Sequence, residues 1–437
     1  MSSTVSTPTL DTHRADRGRS GRWAWESDPV LPLDNRVQPY AWGSTTAIPE
    51  LLGVPADGRP QAEVWIGAHP SAPSTATLPD GSTSPLDAAV AADPDGFLGR
   101  HRSGDRLGFL LKVLSAAAPL SLQAHPDRAT AARRFAEEEA AGVAPDAPHR
   151  LYRDTEHKPE LLYALEPFAA MAGFRSPAAA RALLGLLALP ALPPDSSDVL
   201  AALLEHLAGP DEGRALRAAT ESLLTADPDA LAPLVEAVAT ACADLDDLSA
   251  QCVVELAGHY PGDPGVLVST LLNQVRLEAG QALYLPAGNV HAYLQGTGVE
   301  LMASSDNVLR GGLTPKHVDV PELLRVLDFR VLPPPLLTPR TVSDDELVFA
   351  PHDVDDFALT VLHVADGVET TWATPVPRSV LCLEGEVTLR SGAGGAAGEV
   401  VLTRGSSVFV TAAEHPVAVT GSDRLAAASP GGAAVRG

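Results

Sequence analysis

Gln123 and His125 stand two positions apart in Leu120-Ser121-Leu122-Gln123-Ala124-His125, a run that alternates apolar or small residues with polar ones. That is the period of a half-buried strand. In such a strand both side chains leave on one face while Leu122 and Ala124 leave on the other, and Pro126 ends the ladder because it has no N–H to donate. A neutral imidazole and an amide oxygen on one rigid face supply half of a divalent-metal site. Glu160 opens the apolar run Glu160-Leu161-Leu162-Tyr163-Ala164-Leu165 just after Lys158-Pro159. A carboxylate there is a candidate third ligand. Further on, the turn Pro286-Ala287-Gly288-Asn289 delivers His291 at the start of another strand.

Other chemistry-bearing residues fall in the same neighbourhoods. Between Ala62 and Ser74, Glu63, Trp65, Gly67 and His69 share one strand face, opposite Val64, Ile66 and Ala68. Such a face suits a sugar, with Trp65 stacking on a ring and Glu63 accepting from hydroxyls. The plainer alternative makes Trp65 core and His69 surface. The chain holds three lysines, Lys112, Lys158 and Lys316, against twenty-eight arginines, and all three lie in stretches singled out on other grounds. Lysine differs from arginine as a compact charge suited to proton transfer and phosphate contact. The run from Ser304 to Lys316 holds Asp306, Arg310 and the pair Gly311-Gly312: a potential base, an anion-binding fork and a loop able to approach a ligand closely.

The elements that must position these residues are bounded by composition. A chain of 437 residues, 45% hydrophobic, fills two or three domains with sizeable cores. Its net charge of −24 argues against nucleic acid or an anionic membrane as partner, so a phosphorylated substrate needs a local cationic patch. Three scattered cysteines, Cys242, Cys252 and Cys382, form neither a disulfide framework nor a thiolate metal site. Residues 1–25 read as a disordered tail without a signal-peptide core. The most apolar stretch, residues 178–194, is broken by Arg181 and Pro190 and is too short to span a bilayer. The expectation is a soluble, cytoplasmic protein.

Along the chain, residues 34–44 read as an extended segment closed by a Trp-Gly turn, and residues 128–150 as a helix leading into a proline-punctuated loop. Four to six helices are expected over 176–260, where no catalytic residue types cluster. Residues 266–273 continue helix and 275–284 return to strand. Asp319 caps a short helix over 320–327. Beyond Pro333 the texture is β, with strands over 380–390 and 400–412. That region contains Glu384 and Glu386 but no cluster of histidines, which suggests a second barrel without a metal.

In order, NRVQPYAWGS, AEVWIGAHPSAPS, FLLKVLSAAAPLSLQAHPD, EHKPELLYAL, PAGNVHAYL and VELMASSDNVLRGGLTPKHVDV closely resemble the type I mannose-6-phosphate isomerases over roughly residues 30–330. The resemblance implies a mainly β fold with an α-helical insertion: a cupin (jelly-roll) catalytic barrel from residues 26–175 and 261–330, helices over 176–260, and a second cupin-like barrel over 331–437. It implies a zinc-dependent aldose–ketose isomerase that interconverts mannose 6-phosphate and fructose 6-phosphate through a cis-enediol, with one zinc held by Gln123, His125, Glu160 and His291. Zinc would serve as Lewis acid or through a bound water, and Arg310 would meet the anionic end of the substrate. Lys112 and Lys158 would add positive charge, with Ser121 as a hydroxyl donor and Trp42 and Glu63 lining the pocket. The proton carrier is left open among Glu300, Lys158 and His157, and the resemblance gives Asp306 and His157 to ring opening. Glu300 could instead be a rim carboxylate paired with Arg310. The type I relatives are often monomers, so a monomer is expected.

Two other readings compete. A non-catalytic sugar-phosphate-binding bicupin would be expected to lose a ligand or part of the Arg/Lys set, and all are present. An iron-dependent cupin dioxygenase would need an apolar substrate pocket, whereas these stretches are rich in Lys, Arg and Ser.

Overall fold

The computed structural model describes residues 30–99, 104–391, 398–412 and 416–434; the expected tail over 1–25 lies outside them. The described strands fall into two antiparallel sheet systems. The first is organised by one long strand, His291–Ala303. Its C-terminal half pairs on one side with Phe109–Ala116 and on the other with Glu160–Ala164. Its N-terminal half pairs instead with Phe168–Phe174 and with Gln123–Ala124. Gly296 marks the change of partner. It has φ 125°, and a Cβ there would come within 2.7 Å of the Phe168 ring and 2.8 Å of the Pro167 carbonyl, so only glycine lets the strand turn the corner.

The corner gives the sheet two halves with different backing. Behind Glu160–Ala164 and its neighbours, Val64, Leu111, Val113, Leu161 and Val299 pack against Phe349, Phe357, Leu359 and Phe409 of the C-terminal sheet. Behind the other half, Leu122, Ala124, Ala292 and Leu309 pack into the core of the helical segment. Each fully buried aliphatic or aromatic side chain there contributes roughly 1.5–3 kcal/mol. Because strand side chains alternate, burying these residues turns Glu63, Trp65, Lys112, Glu300, Gln123 and His291 to the opposite, inner faces.

Five helices form the insertion: Pro177–Leu186, Pro194–His206, Glu212–Leu224, Pro228–Cys242 and Leu248–His259. Ser176, Asp211, Asp227 and Asp247 cap four of them through their side chains. This number falls within the four to six read from the breakers. None of the described helices is long and apolar enough to cross a membrane. In the C-terminal sheet the interior carries Val380, Cys382, Val408, Leu425 and Ala427, while Glu384 and Glu386 are exposed.

Several local readings are corrected. The strand read over 120–125 is reduced to Gln123–Ala124, because its two partner strands face it over only one or two residues. The helix starting at Arg128 stops at Ala140, before Gly142 with φ 71° and two prolines. Helix gives way to strand at Leu272, and the strand read over 275–284 is two, Leu272–Leu277 and Ala282–Leu285, split by a turn at Gly280 with φ 91°. Asp319 caps Val320–Val326 as expected, accepting from the Glu322 N–H at 2.9 Å. Sheet membership also crosses the sequence division: Val30–Asp34, read as part of the first unit, pairs with Ser407–Val410 of the C-terminal sheet.

Candidate metal centre and active site

Three buried side chains converge where the two inner faces meet. His125 Nε2 lies 3.3 Å from Glu160 Oε1, and His291 Nε2 lies 3.2 Å from Glu160 Oε2. The ring proton of each histidine is already placed. His125 Nδ1 is 2.7 Å from the Asn307 carbonyl and His291 Nδ1 is 3.0 Å from the Asn289 carbonyl. A carbonyl oxygen only accepts, so both Nδ1 atoms donate and both Nε2 atoms present lone pairs. Burial, reinforced by the Lys158 ammonium, pushes the His125 imidazole down to about 4, which excludes a second ring proton near neutral pH. Burial opposes ionisation of Glu160, but Lys158, at 2.7 Å, outweighs it and holds the carboxyl well below its usual range. The His125 lone pair therefore faces a carboxylate with no proton between them. Both Nε2 atoms and Glu160 Oε2 are buried without a hydrogen-bond donor. Such a trio is satisfied by a cation, and two imidazoles with a carboxylate form an N/O donor set suited to zinc. Among the described residues it is the one His/Cys/Asp/Glu group with this geometry.

Gln123 joins the trio through strand register. It lies directly opposite His291 on one side and opposite Arg310 on the other, so the three side chains share a face. Its amide makes no hydrogen bond to another described residue, which leaves the oxygen free for a fourth contact. Arg310 is half-buried. Burial and the neighbouring Arg153 both lower its pKa, and Arg310 in turn lowers that of Lys316. These three cations crowd one another, and among the described residues none makes an ion pair. In a chain of net charge −24, that arrangement is suited to an anion.

A second row crosses the other half of the sheet. Glu300, Lys112 and Trp65 occupy directly paired positions on three adjacent strands. Lys112 Nζ lies 3.0 Å from Glu300 and 3.6 Å from Glu63, and stands 5.0 Å from the centre of the Trp65 ring. Trp65 is both buried and polar in role: its indole N–H donates to Glu63 at 2.7 Å. Burial disfavours charge on Lys112, but Glu300 and Glu63 outweigh it and hold the ammonium above its ordinary range. Glu300 is shifted upward by burial, with Lys112 opposing and Glu160 and Glu63 adding to the rise. The sequence alternative of a Glu300–Arg310 pair is thus replaced by Glu300–Lys112, because register puts Lys112 beside Glu300 and Arg310 beside Gln123.

The remaining candidates lie around this centre. Asp306 is held by Ser71 Oγ at 3.1 Å and faces His69 Nε2 at 3.6 Å, so His69, offered to the surface by one reading, is buried instead. His157 bonds Asp356 rather than Asp306. Trp42 stacks on Tyr40 at 5.7 Å and packs against the inner core. Ser121 is half-buried outside any strand. The Gly311-Gly312 loop approaches protein rather than pocket: a Cβ at Gly312, φ 116°, would meet Gly265 at 2.9 Å. Sequence reasoning missed Arg153, Tyr40 and Tyr293. Tyr40 feels the charges of Glu63, Lys112 and Asp306, and Tyr293 those of Glu300 and Glu160. The spacing of Tyr293, two after His291, is the signal that could have found it.

Fold and site together define a cupin protein with a buried His–Glu–His centre beside a cationic patch. The profile "Phosphomannose isomerase type I, catalytic domain" matches residues 30–177, and "Mannose-6-phosphate isomerase, cupin domain" matches residues 346–430. A relative from Salmonella typhimurium named mannose-6-phosphate isomerase is 40% identical over 399 residues, covering 90% of this chain and 98% of its own. The Bos taurus protein of the same name is 31% identical, covering 88% and 94%. Among solved structures, a point mutant of phosphomannose isomerase from Salmonella typhimurium superposes with a TM-score of 0.84 at 37% identity, over 92% of this chain and 100% of that one. A zinc-bound mannose 6-phosphate isomerase gives a TM-score of 0.83 at 37% identity, over 92% and 99%. The chain belongs to the type I phosphomannose isomerase family.

Proposed function

We propose that this chain is a zinc-dependent aldose–ketose isomerase interconverting D-mannose 6-phosphate and D-fructose 6-phosphate. The observation that carries the reading is the contact of His125 Nε2 and His291 Nε2 with the two oxygens of Glu160, beside a buried Lys112–Glu300 pair. Gln123, His125, Glu160 and His291 would hold the zinc, which when bound supplies a Lewis acid toward the sugar oxygens.

The protein side chains divide the remaining work. Arg310, Lys316 and Arg153 bind the phosphate, whose charge relieves their mutual repulsion. Asp306 and His157 assist ring opening at the pocket rim. Glu300 is the proton carrier: it takes the proton from C2 of the open-chain aldose, leaving a cis-enediol, and returns it to C1. A proton passing between the two oxygens completes the balance and gives the ketose. A carboxyl shifted upward by burial is suited to both halves of that transfer. Lys112 holds Glu300 in place and offsets charge as the enediol forms. Lys158 is less suited as carrier because its ammonium is engaged by Glu160 at 2.7 Å.

A coupled assay with mannose 6-phosphate on purified, zinc-defined protein tests the proposal. Turnover to fructose 6-phosphate is the expected result. Binding of the sugar phosphate without turnover would favour the non-catalytic bicupin instead.

A further inference from the structure

Asp356 of the C-terminal segment reaches the loop that leads into Glu160. It stands beside His157 in the run Thr155-Glu156-His157-Lys158. His157 Nε2 lies 2.8 Å from Asp356 Oδ2 and 2.9 Å from Arg128 Nη2. The same Arg128 nitrogen donates to Asp356 Oδ1 at 2.7 Å, and Arg128 Nε is anchored to Glu156 at 3.0 Å. One imidazole nitrogen is therefore offered an acceptor and a donor at once. Among the described residues His157 Nδ1 has no hydrogen-bond partner.

From this geometry we infer that Asp356, itself held by Arg128, is a positioning residue that keeps the His157 ring proton on Nε2 and leaves Nδ1 as the base. With Nε2 protonated, the N–H donates to Asp356 and Nδ1 is a free base. With Nδ1 protonated, Nε2 could accept from Arg128, but Asp356 Oδ2 would lose its donor at 2.8 Å, so the carboxylate favours the first state. Proton uptake at Nδ1 gives an imidazolium that keeps its Nε2–H on the Asp356 carboxylate, whose charge offsets it. The inference rests on the proposed part of His157 in ring opening. There the Nδ1 base takes the proton from the anomeric hydroxyl, and the resulting Nδ1–H returns it to the ring oxygen as the C1–O5 bond breaks. No further reactant is needed. It also gives the C-terminal unit, whose own interior is apolar, a part in the chemistry: the unit supplies the carboxylate that holds the ring proton.

The test is a double-mutant cycle on full-length, zinc-loaded protein with mannose 6-phosphate. H157N is expected to lower kcat by about 100-fold and D356A by at least about tenfold, with KM within about twofold for each. Added to H157N, D356A is expected to cause no further loss, since its effect passes through the imidazole. D356N, which keeps the size and an acceptor oxygen, is expected to retain more activity than D356A. Two-bond proton–nitrogen spectra of histidine-labelled enzyme should show the His157 proton moving to Nδ1 in D356A, where Arg128 alone faces Nε2. Losses that multiply in the double mutant would mean Asp356 serves only to dock the unit, and would overturn the inference. So would a fully active D356A beside an impaired H157N, and the ring-opening reading would then survive. A fully active H157N would remove both.

Discussion

Lys112 and Glu300 lie directly opposite each other on paired strands, and their charges meet at 3.0 Å on the buried inner face. Each is shifted by burial and by the other, but removing Lys112 strands two carboxylates whereas removing Glu300 leaves Lys112 its Glu63 partner. K112M is expected to lower kcat at least about 100-fold and to destabilise the fold by about 3–5 kcal/mol, because Glu300 and Glu63 lose their counter-charge. E300Q should lose comparable turnover at much smaller cost in stability, since Lys112 keeps Glu63. Steady-state kinetics and denaturant melts of the two variants read both effects. Undiminished turnover in E300Q would remove it as the proton carrier.

The metal prediction turns on lone pairs. H125N and H291N each remove an Nε2 that has no donor in the protein. Plasma-emission analysis is expected to fall from one zinc per chain toward none in both variants. Treatment of the unmodified protein with a chelator should abolish turnover and added zinc should restore it. Full activity at undetectable metal would end the zinc reading.

Removing a cation from the Arg310, Arg153 and Lys316 group should act on the anionic end of the substrate. R310A is expected to raise KM for mannose 6-phosphate by about tenfold or more, as befits loss of a charge-assisted contact worth roughly 1.5–3 kcal/mol. R153A should show a smaller rise, because Arg153 is exposed. Inorganic phosphate should protect the unmodified protein against thermal unfolding more than R310A. Equal protection would place the anion elsewhere.

Glu322 gives a pH prediction away from the site. It is buried and accepts from Tyr152 Oη at 2.7 Å and Arg134 Nη2 at 2.6 Å, with Arg325 adding a third contact. Burial alone would raise its pKa, but these donors outweigh it and the pKa falls below the ordinary value. A carboxyl lowered in the folded state stabilises the protein above the ordinary carboxylate pKa of about 4.3. That contribution is lost as pH falls through the folded value. E322Q is expected to cost roughly 1.5–3 kcal/mol at pH 7 and to show a shallower decline between about pH 5 and pH 3, measured by urea melts across that range.

Gly296 tests the corner of the long strand. G296V places a side chain where Phe168 and Pro167 leave no space and demands a φ that valine avoids. A loss of at least about 3 kcal/mol is expected, read as a large drop in Tm together with loss of zinc, because His291 and Glu300 lie on either side of that corner. A stable, zinc-replete G296V would show that the bend is not glycine-dependent.

Residue types and short spacings carried much of this site in the sequence. Gln123 and His125 two apart, Glu160 before an apolar run and His291 after a Pro-Ala-Gly-Asn turn were legible because alternation and turn chemistry act over a few neighbours. The helical insertion was legible for the same reason: aspartates and prolines punctuate its apolar runs. What stayed hidden were distances between strands far apart in the chain. Register put Glu300 beside Lys112 rather than Arg310, and the packing of loops brought Arg153 to Arg310 and Asp356 to His157. Periodicity tells which face a side chain takes, but not which partner it meets. That choice belongs to the bent strand at Gly296 and to the two cores packed behind it, which form only when the whole chain has closed.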